Sequence, residues 1–307
     1  MPPPAKKRGR LFIWHKHMEL SFYLIQALNG VQYGFLLFLV ASGLTLVFGV
    51  MGIINLAHGS FYMIGAYLAY WLSAMTGNLF IAVLLGLPLS IAIGFAVERF
   101  CISFLYARDH LEQVLLTYGL ILIFNEGQRI LWGNDVYGVA IPNWLSGSIT
   151  LTDTQSYPVY RLFISFACIA VAVGLYFLIH KTRLGMTIRA GASNREMAQA
   201  LGIDINNLFA AVFALGAGLA AFSGMIAAPV EAVYPGIGEN ILVVSLVIVV
   251  IVGIGSIRGA FAGAMMIGLA DAFGKTLAPD YASFIVYGVM AAVLVWRPQG
   301  IFGGSPQ

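Results

Sequence analysis

Charge is what this chain has least of. Only 9% of its 307 residues are Asp, Glu, Lys or Arg, against 60% hydrophobic, whereas an ordinary soluble domain carries about 25% charged residues. A water-soluble surface is thereby excluded. From Leu20 to Val97 there is no Asp, Glu, Lys or Arg at all, and roughly 18 apolar residues already read as a membrane span, so several spans lie in that one stretch. Cysteine is scarce too. Cys101 and Cys168 are far apart and sit near or within apolar segments, which excludes a disulfide framework and a metal-like spacing and leaves packing as their role. No small-residue cleavage site follows a short apolar core behind the basic, Pro-led stretch Met1 to Lys16, so no removable signal peptide is expected.

Enzyme signatures are missing as well: no H-E-x-x-H, no G-x-S-x-G, no Cys/His cluster, and no paired carboxylates with a supporting base. The nearest approach to a phosphate-binding loop is Gly268-Leu-Ala-Asp-Ala-Phe-Gly-Lys-Thr276. It has five residues between its glycines where four are needed, and no strand precedes it. ATP binding by that route is excluded, so any ATPase is another polypeptide. No metal site or cofactor is expected in the chain, and nothing points to nucleic acid.

Glycine, by contrast, is abundant at 35 residues. Small residues let membrane helices approach closely, and alternation of the β-barrel kind is missing. The expected fold is an all-α polytopic membrane protein. Charges and Gly/Pro clusters mark apolar segments at about 22–48, 59–76, 79–98, 112–132, 160–180, 207–228, 241–255, 259–276 and 282–296, hence about nine transmembrane helices, within a range of eight to ten. A basic extension (1–19) precedes a single membrane domain (20–303) and a short tail (304–307).

Short cytoplasmic loops carry the excess of Lys and Arg. With the loop 181–206 inside, Arg99, Arg108, Lys181, Arg183, Arg189, Arg195, Arg258 and Arg297 all fall inside. The loop 133–160 is then external and the C-terminus cytoplasmic. Nine spans place the N-terminus outside, although Lys6, Lys7, Arg8, Arg10 and Lys16 favour the inside. Either the tail is translocated against the rule, or the stretch Ser21 to Gly59 crosses twice.

Two Gly-interrupted stretches, Gly49-Val-Met-Gly-Ile-Ile-Asn-Leu-Ala-His-Gly59 and Gly253-Ile-Gly-Ser-Ile-Arg-Gly259, have the form of broken helices beside a transport path or of plain turns. In the first, Asn55 and His58, followed by Gly59 and Ser60, are the conspicuous polar residues of the uncharged third. They line a substrate path or gate, or else they are a capping Asn and an interfacial His at a turn. Glu126 with Arg129, Asp271 with Lys275, and Glu98 with Arg99 read as ion pairs near the membrane surfaces. Between Ala192 and Gly202 a short amphipathic helix is expected, capped by Ser193 or Asn194, with Met197, Ala198 and Leu201 on one face. Its small apolar face suits a groove on a partner better than lipid head groups.

The runs Gly43 to Tyr67, Arg189 to Ile203, Gly253 to Gly263 and Trp296 to Gly303, four motifs in order, resemble the permeases of branched-chain amino-acid ABC importers. The resemblance covers about Ser21 to Gly303, and the basic extension before it is longer than the family leads one to expect. It implies a complex of this permease with a second related permease, two cytoplasmic ATP-binding subunits that hold ATP and Mg, and an external substrate-binding protein, in a bacterial inner membrane. It implies a coupling role toward an ATPase for the loop helix, with Arg189, Asn194, Arg195, Glu196, Met197, Leu201 and Gly202 as its residues. Leucine, isoleucine and valine are the implied substrates, with urea, amides or small organic acids in related permeases. A secondary transporter driven by an ion gradient is the competing expectation. It needs acidic residues deep in the spans, for which Glu126 and Asp271 are the candidates considered.

Overall fold

A computed structural model describes residues 5–106, 108–152, 155–253 and 255–301, with side chains from residue 22 onward apart from those of Thr152 and Ser283. The side chains of the basic extension and the tail 304–307 lie outside the described residues. Eleven helices are present among the described residues: α1 (Ala5–Met51), α2 (His58–Thr76), α3 (Leu79–Phe100), α4 (His110–Trp132), α5 (Val159–Lys181), α6 (Arg183–Ser193), α7 (Arg195–Ala200), α8 (Ile205–Ala227), α9 (Ile237–Val252), α10 (Ile257–Leu277) and α11 (Ala282–Trp296). Every apolar segment read from the sequence is a helix. Six of them, α1 from Phe22, α3, α4, α5, α8 and α10, are long and apolar enough to cross a membrane, while α9 and α11 are shorter apolar helices.

The fold is not purely helical. In the loop 133–160 a hairpin forms from β1 (Ser148–Thr152) and β2 (Gln155–Pro158), antiparallel with Ile149 opposite Tyr157. Alternating Ser, Thr and apolar residues fit that pairing. Tyr137 and Val233 exchange backbone hydrogen bonds at 2.8 and 2.9 Å, which fastens this loop to the segment after α8.

α8 lies at the centre, packed by α1, α2 and α3, and α10 lies along the length of α1. Small residues make the close crossings possible: a methyl group at Gly43 of α1 would stand 2.8 Å from the Gly216 carbonyl oxygen of α8, so a side chain there separates the two helices. α1 and α8 are mostly buried, whereas α3, α4 and α5 present most of their surface. That surface is apolar, with Leu84 at 72%, Ile123 at 65% and Phe166 at 71% exposure. So much exposed apolar area is untenable in water and natural against lipid.

The bundle has two distinct ends. At one, Arg195 donates to the Val50 carbonyl (3.1 Å), the Ile301 amide donates to Ile251 (2.8 Å), and Gly255 packs on Gly49. At the other, Arg161 donates to Asn29 (2.7 Å), Tyr160 to the Ile226 carbonyl (2.8 Å), and Asn125 to Glu239 (2.6 Å). α1 passes unbroken from the second end to the first, so the double crossing of Ser21 to Gly59 does not occur. The C-terminal residues share an end with α6 and α7.

Candidate translocation path and coupling surface

α1 stops at Met51, where Gly52 takes φ +69° and its amide closes on Phe48 (2.9 Å). A left-handed glycine is the usual helix terminator because it has no Cβ to clash. The next residues do not leave the bundle. His58, the first residue of α2, places its ring Nε2 3.1 Å from the Val40 carbonyl, eleven residues before the end of α1, or about 16 Å of helix rise. The chain therefore folds back along α1 and starts α2 in the protein interior.

Asn55 and His58 are each 1% exposed. Neither polar atom of the Asn55 side chain has a hydrogen-bond partner, nor does His58 Nδ1 or the neighbouring helix's Thr45 Oγ1. The cap position of α2 is Ala57, with no side-chain cap. Asn55 is thus no cap and His58 is not interfacial. Orphaned buried polar groups destabilise by about 1–3 kcal/mol each, and a native structure that keeps several together usually has a use for them. Gly59 packs against Gly238 of α9, and Ser60 is buried beside it, so all four residues gather where α1, α2 and α9 meet. The second glycine stretch differs. Gly253 (φ +89°) and Gly255 (φ +88°) form the turn from α9 into α10, which Ser256 caps through the Gly259 amide (3.1 Å); residue 254 lies outside the described residues.

Beyond Val40, toward the other end, Leu36, Leu37, Val40, Ser223 and Ile241 close with Tyr33 and Tyr62 into a seam too narrow to hold a water molecule. The Tyr62 hydroxyl donates to Glu231 Oε2 at 2.5 Å. Glu231 sits in the segment between α8 and α9. Burial pushes its carboxyl group up from the ordinary carboxylate range, opposed by the Tyr62 hydrogen bond and by the charges of Lys275 and Arg161. Sequence reasoning missed this residue, since a Glu after Pro-Val reads as loop surface. Its only local signal was a carboxylate between two long apolar runs.

The expected ion pairs Glu126–Arg129 (2.7 Å) and Asp271–Lys275 (2.6 Å) are formed. Glu98 is a correction. It is 1% exposed with Oε2 unpartnered, while Arg99 is exposed and makes no ion pair with it; the helix turns the adjacent side chains to different faces.

The loop 181–206 holds two helices where one was expected between Ala192 and Gly202. Asn194 ends α6, and its side chain caps α7 through the Met197 amide (2.9 Å). Gly202 (φ +87°) then closes α7 with its amide on Gln199 (3.0 Å). The expected apolar face is split: Ala198 is buried, whereas Met197 and Leu201 are 59% and 76% exposed. Arg195 is exposed, yet it is anchored inward. Its guanidinium donates to Val50 and lies 5.2 Å from the Phe209 ring centroid, just before the Gly52 break. Arg189, also exposed, donates to the Ile179 carbonyl. Glu196 is exposed.

Lipid-facing apolar helices, a helix broken in the interior with unsatisfied polar groups, and a loop tethered to that break define a polytopic transport protein. The chain belongs to the family described as branched-chain amino acid transport system / permease component, which matches residues 26–294; this is a family of transport permeases, not of enzymes. It is 32% identical over 300 residues to the high-affinity branched-chain amino acid transport system permease protein BraD of Pseudomonas aeruginosa, covering 93% of this chain and 97% of that one. It is 28% identical over 300 residues to LivH, the protein of the same description in Escherichia coli K12, with the same coverage. LivM of Escherichia coli K12, again a high-affinity branched-chain amino acid permease protein, is 26% identical over 292 residues, covering 86% of this chain and 67% of LivM. No solved structure matches the chain.

Proposed function

We propose that the chain is the membrane subunit of an ATP-driven importer and forms, with a second related permease, the path for branched-chain or related small amino acids. Relatives named LivH and LivM, both similar to this chain, support a pair of permeases. ATP and Mg are held by two separate cytoplasmic subunits, and an external binding protein delivers the solute. The protein spans a bacterial inner membrane about nine times, with the loop 181–206 and the C-terminus cytoplasmic, the loop 133–160 external and the N-terminus translocated.

The observation that carries this reading is the tether from Arg195 to Val50. An ATPase seated on the exposed Met197 and Leu201 moves α7. Arg195 then pulls on the last turn of α1, and the Gly52 break passes that movement to Asn55 and His58. The test is purification with the candidate ATPases and binding protein, followed by ATP hydrolysis with and without leucine. Stimulation supports the reading, and hydrolysis indifferent to every amino acid overturns it.

A second reading, transport driven by an ion gradient, is favoured by one observation: Glu98 is a buried, unpartnered acid within a span. Under that reading uptake persists without ATP and collapses with a protonophore.

A further inference from the structure

Glu231 is a half-buried carboxylate held by a single side-chain hydrogen bond. Among the described residues the ion pairs are Arg108–Glu112, Glu126–Arg129 and Asp271–Lys275, and Glu231 is in none of them. The cations that face it are already bonded: Lys275 to Asp271 at 2.6 Å, with its ammonium 5.4 Å from the Tyr33 ring centroid, and Arg161 to Asn29 at 2.7 Å. Its direct partner is one neutral hydroxyl, that of Tyr62. A carboxylate partly withdrawn from water and without a cation of its own is a favourable seat for one.

The surroundings indicate which cation. Tyr62 joins Glu231 to the closed seam between Leu36, Leu37, Val40 and Ile241, and Val40 in turn carries the carbonyl that His58 contacts. One hydroxyl therefore stands between an anionic group and an aliphatic seam that leads to the helix break. A solute with an ammonium at one end and a branched aliphatic group at the other matches both halves. We propose that Glu231, oriented by Tyr62, receives the ammonium group of an α-amino acid at the outer end of the path, with the aliphatic side chain entering the seam between α1, α2 and α9. In this conformation the seam is closed to a solute, and it opens when the solute arrives. Glu231 is then a binding residue and Tyr62 a positioning residue. The proposal rests on the amino-acid importer reading given above.

The test uses the full complex with its ATPases and binding protein in proteoliposomes, and reads leucine uptake, basal ATP hydrolysis and subunit recovery. In Glu231→Gln the side-chain oxygen still accepts from Tyr62, so only the negative charge is lost. Uptake is expected to fall about tenfold to a hundredfold, the size of losing a hydrogen bond to a charged group, with subunit recovery unchanged. Glu231→Asp is expected to retain more uptake than Glu231→Gln, and Tyr62→Phe to cause a smaller loss than Glu231→Gln. Wild-type uptake in Glu231→Gln together with a large loss in Tyr62→Phe makes the pair a structural pin and overturns the inference while the importer reading stands. A wild-type complex that ignores every amino acid overturns both.

Discussion

Asn55 and His58 are the residues where stability and function pull apart most measurably. Asn55 is buried with both side-chain polar atoms unpartnered, so Asn55→Leu removes an unmet desolvation cost. Replacing an orphaned polar group by an apolar one of similar shape is neutral or stabilising, by up to about 1–3 kcal/mol. Asn55→Leu is therefore expected to leave the melting temperature of the purified complex unchanged or higher while lowering leucine uptake. His58→Leu loses the contact to the Val40 carbonyl and is expected to lower uptake with assembly intact. Wild-type uptake in both variants, read in the same vesicles, makes the break structural only. These two residues were legible in the sequence because polar atoms stand out in an uncharged third of the chain. Glu231 and Glu98 were not, because burial depends on which helices pack around a carboxylate, and neither residue's sequence neighbours encode that.

At the scale of elements, apolar length bounded by charges and Gly/Pro clusters marked all nine segments as helices, since a long apolar run in a membrane has the helix as its way to satisfy its backbone. The loop 181–206 was harder to read. Asn194 can cap a helix from its first position or interrupt one, and the choice is made by the packing of α6 and α7 against α8. Arg195 was expected among the coupling residues of one loop helix, and the end of α1 supplies a carbonyl that sequence spacing could not place 3.1 Å away. This geometry sets Arg195 apart from its neighbour Glu196. Reversing Glu196, which is exposed, is expected to matter little, since exposed ion pairs contribute about 0–1 kcal/mol. Arg195→Gln is expected to keep the ATPase bound while lowering leucine-stimulated hydrolysis severalfold. Met197→Asp and Leu201→Asp are expected to release the ATPase or leave it bound and uncoupled, because a small docking face stabilised at roughly 25 cal/mol per Å² has few contacts to lose. Co-purification together with stimulated hydrolysis separates these outcomes. Wild-type coupling in all three variants moves the contact to the segment from Arg99 to Glu112.

At the scale of the whole molecule, the helices fix which segments share an end, and under the proposed orientation the end rich in Lys and Arg is the cytoplasmic one. A single cysteine introduced at position 193, in a background with Cys101 and Cys168 replaced, is expected to resist a membrane-impermeant thiol reagent in intact cells. One at position 146 is expected to react. The reverse pattern inverts the whole orientation. The importer reading joins that orientation to the tether between α7 and α1, and its most direct test is uptake. Proteoliposomes holding the permease pair, the ATPases and the binding protein are loaded with ATP and Mg or left without them, and labelled leucine is followed with and without imposed ion gradients. The account predicts accumulation that requires internal ATP and is indifferent to the gradients. Accumulation driven by a gradient in the absence of ATP would contradict it.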